Sequence, residues 1–402
     1  MNGRTRWLTG GALDALLDRF AREAVLIAPV RMEGELLFRR VTDPGRIARG
    51  YVNTLVPPKE HFLPSPERLL SYRVEKGVPV LGGAEDSPHP ETILFGVRSC
   101  DVAGLAYLER FLSGEMFDRP DTADGPFIRR REAATLLSVV CRDPGESCMC
   151  VCCGGGPALD GGYDWQLTEL GEGWLVEIGS ERGERLAARC AASLGDPPPT
   201  ALAEKDALVQ ETVKRLTETS VHRVQTMVAS RMVSAGTLGR DFWDQIGERC
   251  SECGGCAFVC PTCSCFNVAD VNPPGAAGFE EPGEEFAPAV PGGVTGEVPD
   301  GAWDRVRLRD CCILPGFIRQ AGGGYPRETC GERCLTRFFH KLSLQFSDRM
   351  GALGCTGCGR CIVTCMGGCG IDRVAGLMTD TAAKAGSLRR RAVQGALGRE
   401  KG

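Results

Sequence analysis

Two cysteine runs about a hundred residues apart constrain the fold of this chain more than any other feature. They read Cys250-x2-Cys253-x2-Cys256-x3-Cys260-Pro261 and Cys355-x2-Cys358-x2-Cys361-x3-Cys365. This spacing is typical of bacterial two-cluster ferredoxins, in which the fourth cysteine of each run ligates the other cluster. A [4Fe–4S] cube needs thiolates on all sides, and one tight loop supplies only three of them. The two runs must therefore meet in the fold.

We predict two [4Fe–4S] clusters with crossed ligands. The first cluster is assigned Cys250, Cys253, Cys256 and Cys365, and the second Cys260, Cys355, Cys358 and Cys361. A pair of zinc knuckles is the alternative, but zinc sites rarely use a third cysteine plus a fourth before proline. One departure is Met366, which stands where a proline usually follows the second run.

Composition limits the class of protein. The 402 residues are enough for two or three domains, and the net charge of −5 argues against a nucleic-acid binder. No apolar stretch is long enough to span a bilayer, and the N-terminus lacks the apolar core of a signal peptide. We therefore expect a cytoplasmic protein without membrane insertion. In such a compartment 22 cysteines indicate metal binding and not a disulfide framework.

The chain divides into regions of different pattern. We predict an α+β/α/β fold: an α/β domain over 1–200, a helical connector over 201–240, a two-cluster ferredoxin-like domain over 241–375 and a tail over 376–402. Within the first domain, 25–30 and 35–41 indicate a hairpin, and 91–100 and 134–141 indicate buried strands that each end at a cysteine. A helix is predicted from Val102 to Leu112. The segment 271–301, rich in proline, glycine and glutamate, is predicted to be an exposed insert.

A third cluster is predicted within the α/β domain. Cys141, Cys148 and Cys150 lie in a loop, and Cys100 ends the strand expected beside the one that ends at Cys141. Ligands collect beyond the carboxyl ends of strands in open α/β sheets, so these four thiolates can surround a cluster there. A structural zinc or a group of free thiols is the alternative.

Ten cysteines remain after these assignments. A fourth cluster from Cys263, Cys265 and Cys311 is conceivable, whereas buried free cysteine usually behaves as a small hydrophobic residue. That second interpretation is preferred for most of the ten, which also include Cys190, Cys312, Cys330, Cys334 and Cys369.

Several further stretches resemble one protein family. They are HFLPSPERLLSYR (61–73), FGVRSCDVAGLAYLERFL (95–112), CRDPGESCMC (141–150), FWDQIGERCSECGGCAFVCPTCSCF (242–266), WDRVRLRDCC (303–312) and AGGGYPRETCGERCLTRFFHKL (321–342). The family contains the β subunit of cytoplasmic [NiFe] sulfhydrogenases and the A subunit of anaerobic sulfite reductase. The resemblance covers roughly 20–375. Gly367-Gly368-Cys369, the long insert, and the extra Cys152 and Cys153 depart from the family pattern.

The resemblance implies an electron-transfer subunit with [4Fe–4S] clusters. It implies a partner subunit that binds FAD and NAD(P)H, and a catalytic partner, either the hydrogenase small and large subunits or a sulfite reductase subunit. The chain itself contains no acid–base pair, nucleophile constellation or phosphate loop, so no catalytic site is expected in it. A redox sensor or scaffold with structural clusters is the alternative from another class.

Overall fold

A computed structural model describes residues 4–82, 89–219, 222–272, 300–320 and 322–384. Its strands are β1 Thr5–Thr9, β2 Val25–Met32, β3 Glu35–Arg40, β4 Glu67–Glu75, β5 Val78–Leu81, β6 Thr92–Val97, β7 Ala134–Val139, β8 Trp165–Leu170, β9 Gly173–Ile178, β10 Phe266–Val271 and β11 Gly301–Arg309. Its helices are α1 Gly10–Glu23, α2 Ser99–Leu112, α3 Gly125–Glu132, α4 Glu181–Arg189, α5 Ala201–Thr219, α6 His222–Ser234, α7 Arg240–Gly247, α8 Gly255–Phe258, α9 Cys330–Leu342, α10 Leu344–Met350, α11 Arg360–Thr364 and α12, residues 371–384.

The N-terminal part is built on a seven-stranded mixed sheet. Its strand order is β1-β9-β8-β7-β6-β2-β3, and β2, β6, β7 and β8 run parallel to one another. The inner strand β6 is apolar and buried along most of its length, as parallel strands covered on both faces usually are. Leu26 and Ile93 pack on one face in the cluster that includes α1, whereas Leu94 and Leu136 pack on the other with α2.

Most of the strands and helices predicted in this part are confirmed. The β2–β3 hairpin forms, β6 and β7 are parallel neighbours, and α2 covers the predicted helix. The strands end earlier than predicted, at Val97 and Val139, because the chain turns there. Arg98 holds the two strand ends together by donating to the carbonyls of Val139 (3.3 Å) and Val140 (3.2 Å).

A second sheet joins segments that are far apart in the sequence. Its order is β10-β11-β4-β5, with antiparallel pairing throughout. β4 and β5 come from the predicted α/β domain, whereas β10 and β11 come from the predicted ferredoxin-like domain. Most of the predicted insert, 273–299, lies outside the described residues. β10 and β11, which flank it, pair in register with each other, Phe266 opposite Arg309 and Val271 opposite Asp304.

Most of the remaining secondary structure in the described residues is helical. The predicted connector 201–240 contains α5 and α6, and α7 begins at its end. Trp243 of α7 packs on Phe338 of α9, with ring centroids 6.0 Å apart. α7 and α9 approach closely at their glycines, since a Cβ on Gly247 would come 2.6 Å from the amide of Gly331. This core also contains α12 and several cysteines.

Within the described residues, none of the helices combines the length and apolar character needed to cross a bilayer. The predicted tail, 376–402, is described only up to residue 384, within α12.

Candidate iron–sulfur centres

Both cysteine runs fold into the same local shape, a loop followed by a short helix. Gly254 has φ +71° immediately before α8, and Gly359 has φ +77° immediately before α11. Glycine adopts this left-handed conformation at little cost, whereas most other residues are strained in it. The third cysteine of each run, Cys256 or Cys361, therefore lies in the first turn of its helix.

The fourth cysteine of the first run lies beside the second run. Thr262 donates a hydrogen bond of 2.6 Å to the carbonyl of Gly354, directly before that run begins. Burial raises the pKa of Cys358 to about 11, and the charge of Cys260 adds to the rise. Burial also raises the pKa of Cys361, again with a contribution from Cys260. The structure thus brings Cys260 to the cysteines predicted to share its cluster.

The fourth cysteine of the second run lies beside the first run in the same way. A Cβ on Gly255 would come 2.9 Å from Cγ2 of Thr364. The amide of Cys369 donates to Sγ of Cys365 at 3.1 Å. Burial raises the pKa of Cys369 to about 11, and the charges of Cys365 and Cys250 raise it further. Cys365 is therefore next to the first loop, as crossed ligation requires.

The predicted third site lies at the carboxyl ends of β6 and β7. Cys100 is in the first turn of α2, and Cys141 follows β7. Burial raises the pKa of Cys150 to about 12, and the charges of Cys148 and Cys141 add to the rise. Burial also raises the pKa of Cys100, with smaller contributions that include the charge of Cys150. The four predicted ligands are thus neighbours.

The loop of the third site packs directly on the second run. The amide of Met149 donates to the carbonyl of Gly357 at 2.8 Å. A Cβ on Gly357 would come 2.5 Å from the backbone of Met149. Asn53 donates through Nδ2 to the carbonyl of Cys358 at 2.6 Å. Burial is the main cause that raises the pKa of Cys100, followed by the charge of Asp101, and the charge of nearby Cys358 makes a smaller contribution. The second and third sites are therefore adjacent.

A buried ion pair fixes this contact between α2 and α11. Arg360 bonds Asp101 through both guanidinium nitrogens, at 2.6 and 2.8 Å, and the two side chains are 3% and 1% exposed. Arg360 also donates to the carbonyl of Thr54 at 2.8 Å. A buried ion pair is tolerated only with good geometry and further hydrogen bonds, which this pair has.

Three buried cations surround the runs and have no carboxylate partner among the described residues. Lys59 donates only to backbone carbonyls, among them those of Cys260 (2.5 Å) and Cys263 (2.7 Å). Burial lowers the pKa of Lys59 to about 8 although nearby thiolates oppose that shift. The side chain is 2% exposed, so its charge has no access to water.

The other two cations lie on α9. Lys341 donates to Oγ1 of Thr262 at 2.6 Å, and Nε and Nη1 of Arg337 are buried without a hydrogen-bond partner. Burial lowers the pKa of Arg337, but the charges of Cys256 and Cys361 outweigh it and raise the pKa above its usual value. Arg337 thus lies between the two runs.

This arrangement fits iron–sulfur clusters. An unpaired buried charge costs several kcal/mol, and a cluster bound by four thiolates is anionic. Clusters at these sites would neutralise the buried cations and accept hydrogen bonds from Arg337. None of the 22 cysteines, all in the described part of the chain, forms a disulfide.

Two cysteine contacts were not predicted. Cys153 makes a side-chain hydrogen bond with Cys355 that lowers the pKa of Cys355. The sulfurs of Cys250, Cys330 and Cys334 lie within 4.8 Å of one another. The hydrogen bond from Cys334 is the main cause that lowers the pKa of Cys250 to about 6. The interpretation preferred for most of the remaining cysteines, as small hydrophobic residues, therefore leaves out the contact of Cys330 and Cys334 with a candidate ligand.

The sequence contains a signal for the polar face of α9. Cys330, Cys334, Arg337 and Lys341 are spaced by four, three and four residues, which places them on one side of a helix. Such spacing usually marks apolar core positions. Cationic and thiol residues in that pattern therefore indicate a helix that faces a buried anion. Lys59, in a short turn, has no comparable signal.

Comparison with known proteins gives two matches. Residues 295–369 match the family described as "4Fe-4S dicluster domain". This range contains the second run but begins after the first. The chain is also 27% identical over 357 residues to "Sulfhydrogenase 2 subunit beta" of Pyrococcus furiosus, an alignment that covers 87% of this chain and 90% of that protein.

Proposed function

We propose that this chain, which is similar to a sulfhydrogenase β subunit and matches a 4Fe-4S dicluster domain, is an iron–sulfur electron-transfer subunit of a hydrogenase-type complex. The proposed ligands are those predicted from the sequence: Cys250, Cys253, Cys256 and Cys365 for the first cluster; Cys260, Cys355, Cys358 and Cys361 for the second; and Cys100, Cys141, Cys148 and Cys150 for the third.

The observation that carries this proposal is the set of three buried cations without a carboxylate partner. Lys59, Arg337 and Lys341 are each at most 5% exposed. All three are positioned around cysteines of the two runs. A structural zinc bound by four thiolates is also anionic, but the run spacing and the dicluster match favour iron.

The clusters supply one-electron transfer, and the protein sets their order and potential. The third site adjoins the second through the Met149–Gly357 contact, and the second adjoins the first through the crossed cysteines. Cys253 is exposed, as are the side chains of Val363 and Met366, which lie near Cys365 in the sequence. We therefore infer a relay that begins at the α/β domain and reaches the surface at the first cluster.

The partners follow from the same proposal. One binds FAD and NAD(P)H, and the other contains the catalytic site of a cytoplasmic [NiFe] hydrogenase, with the chain between them. A sulfite-reducing complex would need the same relay and a different catalytic subunit. We also propose the division into an α/β domain, a helical connector and a two-cluster domain, with β4 and β5 attached to the latter through β11.

The proposal is tested on the complex purified without oxygen. We expect at least about twelve irons in this subunit, as [4Fe–4S] clusters reducible by NAD(P)H through the flavin partner and detected by EPR. The double variant Cys148→Ser/Cys150→Ser should lose about four irons. Electron transfer through the relay should also stop, so that the remaining clusters are no longer reduced from one partner or no longer reoxidised by the other. The matched control is Cys190→Ser, because Cys190 is buried in the core beside α1, away from the runs.

Three results would contradict the proposal at different levels. Tightly bound zinc with almost no iron rules out the relay. Unchanged iron in the Cys148/Cys150 variant removes the third cluster only. Clusters that are not reduced by the flavin partner favour the sensor or scaffold alternative. Identification of the co-purified catalytic subunit separates a hydrogenase from a sulfite reductase.

A further inference from the structure

We propose that Cys263, Cys265 and Cys312 form a fourth thiolate site, which holds an additional anionic iron–sulfur cluster at a cavity of about 340 Å³. None of these cysteines belongs to the three clusters assigned above. The inference deepens the proposed electron-transfer function and rests on it, because it extends the relay by one centre.

The β10–β11 ladder brings two of the cysteines together. Cys265 directly precedes β10 and Cys312 follows β11, and the amide of Asp310 donates to the carbonyl of Cys265 at 3.0 Å. The thiols of Cys265 and Cys312 are in hydrogen-bond contact. Two cysteines separated by the whole 271–301 segment are thus placed side by side by strand pairing.

Cys263 lines the same cavity from the end of the first run, and its thiol is also in hydrogen-bond contact with Cys260 of the second cluster. The wall includes Cys263, Cys265, Cys312, Arg337, His340 and Lys341, together with aromatic rings. Lys59 anchors the carbonyl of Cys263 at 2.7 Å, which fixes the backbone from which this thiol projects. The space is far larger than the roughly 30 Å³ that one water molecule takes.

The cavity wall carries positive charge, which also faces the first and second clusters. Arg337 and Lys341 are buried, and Lys341 has only a hydroxyl partner. Two nitrogens of Arg337, Nε and Nη1, have no hydrogen-bond partner at all. Buried donors and charges without partners are costly. An anionic group bound by thiolates in the cavity would add to the compensation that the first and second clusters give these two cations.

The spacing of the sulfurs favours a cluster over a single ion. Ligands of one zinc ion at about 2.3 Å cannot lie more than about 4.6 Å apart. The sulfurs of Cys265 and Cys312 are in contact, but among the described residues the three sulfurs of Cys263, Cys265 and Cys312 do not all lie within 4.8 Å of one another. A group with several irons can span the wider separation.

The structure replaces one cysteine of the fourth set considered from the sequence. Cys311 turns away from the cavity: its sulfur lies 3.9 Å from the carbonyl of Gly254 and accepts from the amide of Ile313 at 3.4 Å. Its neighbour Cys312 faces the cavity instead. The ligand set is therefore Cys263, Cys265 and Cys312, and the fourth iron position would face the open cavity.

The test compares iron and sulfide contents of anoxically purified protein. The wild-type subunit should hold about sixteen irons and sixteen sulfides, one cluster beyond the three assigned. Cys265→Ser with Cys312→Ser should lower both by about four and leave the EPR signals of the other clusters in place. Cys190→Ser is the control and should change neither count.

The possible results separate this site from the rest of the proposal. A wild-type content of about eight to twelve irons overturns the fourth site, whether or not the variant folds, and leaves the relay intact. Loss of one zinc and no iron in the variant overturns the iron assignment at this site. Wild-type protein without iron contradicts the relay and the fourth site together.

Discussion

Single side chains on α9 set the electrostatics of the candidate centres. Arg337 is 3% exposed and lies near cysteines of both runs, with two nitrogens that lack protein partners. Reduction adds one negative charge to a cluster, so a buried cation beside it stabilises the reduced form. The potential of the clusters therefore depends on this guanidinium.

Replacement of Arg337 should lower the reduction potential of the neighbouring clusters. Arg337→Gln keeps a hydrogen-bond donor and removes the charge. We expect a fall on the order of 50–100 mV, which is the size of a unit charge at roughly 8–10 Å in a medium of effective dielectric near 20. Redox titration followed by EPR measures it. Arg185→Gln, at an exposed ion pair on α4, is the control, and equal potentials in the two variants would contradict the role of Arg337.

The cysteines also show which contacts cannot be predicted from residue spacing alone. The spacing of the two runs predicts which cysteines share a cluster, and the structure places those cysteines together. Spacing alone did not predict that Cys250 contacts Cys330 and Cys334, because that contact depends on how α9 docks against the first loop. The choice of Cys312 over Cys311 at the fourth site depends on tertiary structure in the same way.

At the level of elements, the contact between the 141–157 loop and the second run holds two candidate centres together. Gly357 has φ +66°, and its α-carbon faces the backbone of Met149 and Cys150. A side chain there would be strained by its backbone conformation and would also displace the loop. Glycine at position 357 therefore avoids both a strained backbone and a clash with the loop.

Gly357→Ala should damage the second and third clusters. We expect the variant to lose up to about eight irons, because the displaced loop carries third-site ligands and the strained loop carries second-site ligands. Gly236→Ala is the matched control: Gly236 also has positive φ, +60°, but a Cβ there would meet nothing within 4 Å. Iron content and EPR measure the effect. If both variants keep full iron, the loop contact does not hold the clusters.

The second sheet shows how an element can join two regions of the sequence. Pattern alone assigns 67–81 to the first domain and 266–309 to the ferredoxin-like domain. β4 nevertheless pairs with β11, and Arg307 of β11 bonds Glu67 of β4. Strand pairing between distant segments depends on register and side-chain contacts that local periodicity does not report.

For the whole molecule, the bound clusters should be part of the folding energy of the C-terminal half. Without iron, Lys59, Arg337 and Lys341 would remain charged, buried and uncompensated. The effective penalty is several kcal/mol for each such ion. The large seven-stranded sheet, in contrast, has an apolar core of its own.

Removal of iron should therefore loosen one half of the protein selectively. We expect amide hydrogen exchange to become much faster in α9 and around both runs of the apoprotein, while β6 and β7 keep their protection. Restoring iron and sulfide under anoxic conditions should reverse the change. Equal protection of α9 with and without iron would show that the buried cations do not depend on the clusters.

The sequence by itself predicted the crossed pairing of the two cysteine runs, the α/β class of the N-terminal part and the helix–strand order around Cys100 and Cys141. These follow from local spacing and periodicity, which act over a few residues. Only the tertiary structure decided that the third site lies against the second run, that three cations are buried beside the thiols, and that Cys265 meets Cys312. Those facts depend on the packing of distant segments, and the free energy of such packing is a property of the whole fold.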